Sequence, residues 1–112
     1  MSGLIVGLVA LPLGMAAQRA TAALMRSLRQ NVKIIVFDFE MVPLMDMTGL
    51  VAFESALKDL RSQKKRVILT GLREQPLAIL MGSPHVTSEK KNLLIINSFS
   101  EAIKTAKRIL NE

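Results

Sequence analysis

The chain contains no cysteine, no tryptophan and no tyrosine, and its only histidine is His85. Without cysteine there is no disulfide framework, no zinc ribbon and no thiol nucleophile. A single histidine removes sites built on paired imidazoles and leaves little for a His-based triad. The aromatic residues are four phenylalanines, so platforms for stacking single-stranded nucleic acid are nearly missing. The expectation is a domain with no metal, no cofactor and no nucleic-acid partner. Long apolar runs are scarce too. Gly3 to Ala17 (GLIVGLVALPLGMAA) falls short of the roughly 20 residues that cross a bilayer, and Pro12 interrupts it. No Lys or Arg precedes that run, so it fits a secretory signal badly. It reads as a strand buried on both faces, Leu4 to Ala10, with a membrane-derived stub over residues 1–15 as the alternative.

What is present fits one globular domain spanning residues 1–112. Half of the residues are hydrophobic and 21% are charged, enough apolar material for a core. Fifteen Lys and Arg against nine Asp and Glu leave a formal net charge of +6, which suits an anionic surface.

Helical and strand patterns alternate along the chain. Ala16 to Gln30 is rich in alanine, with Ala17, Ala20, Leu24 and Leu28 on one side, and predicts a helix. Val32 to Phe39 is β-branched and aromatic, hence a strand, and residues 40–47 with Pro43 read as a loop. From Thr48 to Gln63, Leu50, Phe53, Leu57 and Leu60 recur at helical spacing, with Glu54, Lys58, Asp59 and Arg61 opposite them. Val67 to Thr70 predicts a strand and Gln75 to Met81 a short helix with Pro76 in its first turn. His85 to Lys91 reads as a polar loop with His85 exposed. Leu93 to Ile96 then predicts a strand, and Ser98 to Leu110 a helix capped by Ser98 or Ser100 that turns Ile103, Ala106 and Leu110 inward. Strands alternating with helices imply an α/β fold, with a mixed or mostly parallel sheet and flanking helices.

In such sheets, sites form where strands end and helices begin. The most polar junction runs from Asp38-Phe39-Glu40 through Asp46-Met47-Thr48-Gly49. Asp46 or Thr48 is placed to cap the following helix. The functional reading is that the Thr48 hydroxyl lies exposed at a helix N-terminus, where the dipole favours added negative charge. Asp38 and Glu40 superficially echo the acidic pair of haloacid-dehalogenase-like phosphatases. That chemistry needs a second Asp and a later metal-binding carboxylate, and the pattern supplies neither.

The run Val42-Pro43-Leu44-Met45-Asp46-Met47-Thr48-Gly49-Leu50 resembles the signature of STAS domains, the sulfate transporter and anti-sigma-factor antagonist family. The resemblance continues through Leu50 to Leu60, Val67 to Thr70 and Gly71-Leu72-Arg73. It resumes at Ile95-Ile96-Asn97-Ser98-Phe99-Ser100-Glu101-Ala102. It implies the STAS fold and a non-enzymatic regulatory domain that acts through protein contacts. Thr48 matches the hydroxyl residue that a partner kinase phosphorylates in the antagonists. The loop Val42 to Asp46 is more similar to the SulP-type anion transporters, whose STAS domain sits at the cytoplasmic face of the membrane. Leu11 to Ala17 resembles the same branch more weakly. Expected partners are thus a transporter membrane domain, or alternatively an anti-sigma factor and its kinase, together with a homodimer and the anionic membrane surface.

Two further groups carry expectations. Lys58, Arg61, Lys64, Lys65, Arg66 and Arg73 read as a solvated basic face, with Lys64, Lys65 and Arg66 the contacts offered to anionic headgroups. Met41, Met45 and Met47 cluster in the signature loop, where exposed thioethers would form an adaptable partner surface.

Overall fold

A computed structural model describes residues 4–9, 32–88 and 93–111 of the chain. Among these residues four strands form one sheet in the order β1-β2-β3-β4: β1 (Leu4–Val9), β2 (Val32–Asp38), β3 (Arg66–Thr70) and β4 (Leu93–Ile96). All three neighbouring pairs run parallel. The helix expected over Ala16 to Gln30 lies outside the described residues.

The central strands explain the architecture. In β2, Ile34, Ile35, Val36 and Phe37 are all buried, and in β3 Val67, Ile68, Leu69 and Thr70 are buried. A strand that is apolar on both faces is stable only if both faces are covered. Ile35, Phe37, Val67 and Leu69 face a cluster with α1 (Met47–Ser62), which also takes in Leu80 and Val86. Ile34, Val36 and Ile68 point the other way, against Ala102 and Ala106 of α4 (Phe99–Leu110).

The first of these helices forms as its spacing predicts, burying Leu50, Phe53, Ala56, Leu57 and Leu60 along one side. The Phe53 ring meets Phe37 and Phe39 edge-on, at centroid distances of 5.2 and 5.5 Å. Its C-terminus is closed by Lys64, which takes a left-handed conformation at φ 59°. The Lys65 N–H donates to the Leu60 carbonyl at 3.0 Å and the Lys64 N–H to the Arg61 carbonyl at 2.9 Å. This is a Schellman closure with lysine where glycine is usual.

Two helices follow β3: α2 (Glu74–Met81) and α3 (Pro84–Thr87). The second falls inside the segment expected to be loop. Four residues are too few to show a helical period, but Ser83 before Pro84 is a helix-start pattern. Val86 drives the correction, because it is fully buried in the α1-side core. Ser83 is itself buried, and its hydroxyl donates to Glu54 Oε2 at 2.6 Å, tying α3 to α1. At α4 the cap is Ser98, which accepts the Glu101 N–H at 3.2 Å.

Two stability measurements follow. Phe53→Ala removes the ring that joins β2 to α1 and is expected to cost about 3–5 kcal/mol in a urea melt; a loss under about 1 kcal/mol would contradict its burial. Lys64→Gly relieves a left-handed β-carbon and is expected to raise stability by about 0.5–1 kcal/mol in the same assay.

Candidate functional site

The signature junction lies at the C-terminal ends of β2 and β3, where parallel sheets open to ligands and partners. Beyond β2 the backbone stays attached to the sheet for one more residue, as the Phe39 N–H donates to the Thr70 carbonyl at 2.8 Å. The Glu40 N–H then donates to Asp38 Oδ1 at 3.0 Å, and the Val42 N–H to the Phe39 carbonyl at 2.9 Å. Asp38 therefore holds a turn, an ordinary structural task for the residue that echoed a phosphatase nucleophile. Gly71 makes room for that turn. Its φ is +68°, and a β-carbon there would lie 2.7 Å from Asp38 Oδ1 and 3.0 Å from the Glu40 nitrogen.

The rest of the loop is fixed by α2. Gln75 accepts the Met45 N–H at 2.7 Å and donates its amide to the Met45 carbonyl at 3.1 Å, so one side chain satisfies both backbone groups. The Arg73 Nε donates to the Glu40 carbonyl at 2.9 Å. Neither clamp was identified in the sequence, because nothing local marks a contact across 30 or more positions.

Every third residue, Phe39, Val42 and Met45, is buried in the α1-side core. This corrects the methionine surface. Met45 is core, whereas Met41 and Met47 are exposed at 69% and 67%. Leu44 and Val51 join them as exposed large apolar residues, at 61% and 51%. Met47 and Val51 are four apart on α1 and so neighbours on one helix face, and Thr48 is three before Val51.

Capping is resolved in favour of Asp46. Its carboxylate accepts the Gly49 N–H at 2.8 Å, and its carbonyl accepts the Leu50 N–H at 2.9 Å. Thr48 lies inside the first turn of α1 and is exposed. Gly49 is buried beside it. The junction thus presents a hydroxyl that is not the helix cap, flanked in the chain by outward-facing Met, Leu and Val side chains.

The basic residues divide into three groups. Arg73 belongs to the signature end of the sheet, through its bond to Glu40. Lys64, Lys65 and Arg66 lie at the opposite end, and Lys65 turns inward to 5% exposure because it follows the Schellman turn back into β3. Burial pulls its ammonium below the ordinary lysine pKa. The expected headgroup contact is therefore reduced to Lys64 and Arg66, both exposed. Lys58 and Arg61 turn toward α3, where they share a groove with His85. Among the described residues no cluster of three or more His, Asp or Glu could hold a metal ion, and no helix is long and apolar enough to cross a membrane.

The division of labour between Asp46 and Thr48 predicts a clear contrast in thermal melts. Asp46→Ala removes the cap and is expected to cost about 1 kcal/mol. Thr48→Ala deletes an exposed hydroxyl and is expected to stay within about 0.5 kcal/mol of wild type. The reverse order would make Thr48 the cap.

A search among curated proteins gives no match. The family model described as STAS domain matches residues 13–102, which take in β2, the signature loop, α1, β3, β4 and the start of α4. A parallel sheet with helices on both faces, and a match over most of the length, make this chain a member of the STAS domain family.

Proposed function

We propose that this STAS domain regulates by docking a protein partner on the signature loop and the first turns of α1, and that phosphorylation of Thr48 releases the partner. One observation carries the reading: an exposed threonine within the first turn of a helix already capped by another residue, near exposed Met47 and Val51 on that helix and following a loop that exposes Met41 and Leu44. Large apolar side chains gathered on a surface favour association with another protein. The buried anchors Phe39, Val42 and Met45 and the Gln75 clamp hold that surface in one shape, so little ordering would be lost on docking.

The charge argument gives the switch its sign. A phosphate on Thr48 adds roughly −1.5 to −2 charges near the positive end of the α1 dipole, which tolerates them without unfolding. The same charge would stand in the middle of an apolar contact and close in sequence to Asp46. Burying it against a partner would then carry a desolvation cost that docking does not recover.

Two settings fit this action. Similarity of Val42 to Asp46 supports the cytoplasmic domain of a SulP-type anion transporter, with the membrane domain as partner and Lys64 and Arg66 toward anionic headgroups. The exposed Thr48 hydroxyl supports the alternative, an anti-sigma-factor antagonist with a kinase partner. In either setting the domain itself catalyses nothing.

The test is calorimetric titration of wild type, Thr48→Glu and Thr48→Ala against each candidate partner. Thr48→Glu is expected to keep the wild-type melting temperature and to lose about tenfold or more in affinity, a change of about 1.4 kcal/mol. Thr48→Ala is expected to bind as wild type and to gain no mass when the chain is incubated with candidate kinases. A Thr48→Glu variant that binds as tightly as wild type would overturn the switch.

A further inference from the structure

The sheet is unfinished at β4. Among the described residues β4 pairs only with β3, so its outer side presents backbone N–H and C=O groups with no strand against them. The strand reads Leu93-Leu94-Ile95-Ile96, with no charge, proline or bulge to guard that edge. Its register, Ile68 to Leu94 and Leu69 to Ile95, sets Leu94 on the α4 face and Ile95 on the α1 face. Leu93 and Ile96 pack against the two cores, whereas Leu94 is 38% exposed and Ile95 43%. Phe99, the first residue of α4, is 38% exposed as well. Apolar side chains exposed on both faces of one edge are not covered by anything docked flat on either face. They call for a further strand along β4, apolar on both of its own sides.

We infer that this strand is β4 of a second copy of the chain, paired antiparallel about a two-fold axis so that the two sheets become one. β4 has the composition the position requires, and its own open edge is what the pairing uses. Such a match of identical strands is closed, because each copy gives and receives the same contacts. Opposed residues of an antiparallel pair share a face. Leu94 then meets Leu94 or Ile96 of the second copy, and Ile95 meets Leu93 or Ile95 of it. Charge favours the same occupant in the same orientation. α4 begins two residues after β4 and runs back over the sheet, with Glu101 near its start and Lys104, Lys107 and Arg108 toward its end, all exposed. The axis that reverses β4 also reverses α4 on the same face, bringing each Glu101 end toward the basic end of the other copy. A parallel match would put the two α4 helices on opposite faces and lose this complementarity. Four residues make a short pairing, which sets the dimer among weak, concentration-dependent ones. The inference needs nothing from Thr48 and shares no residue with the docking surface on the signature loop and α1.

The test is sedimentation equilibrium of the full chain from about 10 μM to about 1 mM, with thermal melts of every variant. Wild type is expected to pass reversibly from monomer to dimer and to form nothing larger. The double variant Leu94→Lys, Ile95→Lys places charge on both faces of the edge and is expected to stay monomeric throughout. Glu101→Lys changes an exposed side chain outside the core, so it tests the pairing without threatening the fold. It sets like charges together and is expected to weaken the dimer by about tenfold or more. Combining it with Lys104→Glu and Lys107→Glu reverses both ends of α4 and is expected to restore the dimer. Wild type that stays monomeric over the whole range would overturn the inference and leave the edge to an unlike strand. A ladder of species larger than the dimer, or a folded Leu94→Lys, Ile95→Lys variant that still dimerises, would overturn it too. So would a dimer that Glu101→Lys leaves unchanged.

Discussion

Everything in this structure depends on two adjacent parallel strands that have no face for water. β2 and β3 bury side chains in both directions, and a parallel pair leaves no hairpin through which to connect them. The chain must cross over the sheet between them, and α1 is that crossover. Because α1 has to deliver Leu50, Phe53, Leu57 and Leu60 to the sheet, its orientation is fixed and so is the place where it begins. Thr48 and its apolar neighbours then fall on the outside of the first turns. The exposed junction is a geometric consequence of covering the core.

The junction itself is rigid for a second reason. An irregular loop at the sheet end would leave backbone groups unpaired, and four side chains prevent this, Arg73 by donating to the Glu40 carbonyl and three others. Asp38 takes the Glu40 N–H, Asp46 takes the Gly49 N–H, and Gln75 takes both backbone groups of Met45. Phe39, Val42 and Met45 add burial at every third position. What remains on the surface is a loop and helix start that expose Met41, Leu44, Met47 and Val51 together with the Thr48 hydroxyl, and under the proposed docking a backbone held this way loses little entropy.

Much of this was legible in the sequence. The spacing of Leu50, Phe53, Leu57 and Leu60 reports one buried helical face, and the β-branched, aromatic run Val32 to Phe39 reports a strand. The family resemblance rested on motifs in order, and the match over residues 13–102 agrees with it. The errors share a physical origin in contacts that are distant in sequence. Lys65 reads as a surface cation because lysine is rarely buried, yet the turn at Lys64 sends it inward. Met45 reads as surface beside Met41 and Met47 because a loop has no period to separate them. α3 escapes because four residues carry no periodicity, and Val86 reveals its burial only in three dimensions. The choice between Asp46 and Thr48 as cap turns on a one- or two-residue boundary, where sequence patterns are least decisive.

The central claim is that partners dock on residues 41–51. Hydrogen–deuterium exchange on the partner complex tests it most directly, because it locates protection without altering the chain. Added protection is predicted in the signature loop and the first turns of α1, with β4 and α4 unchanged. Protection confined to β4 and α4, with residues 41–51 exchanging as in the free domain, would contradict the account.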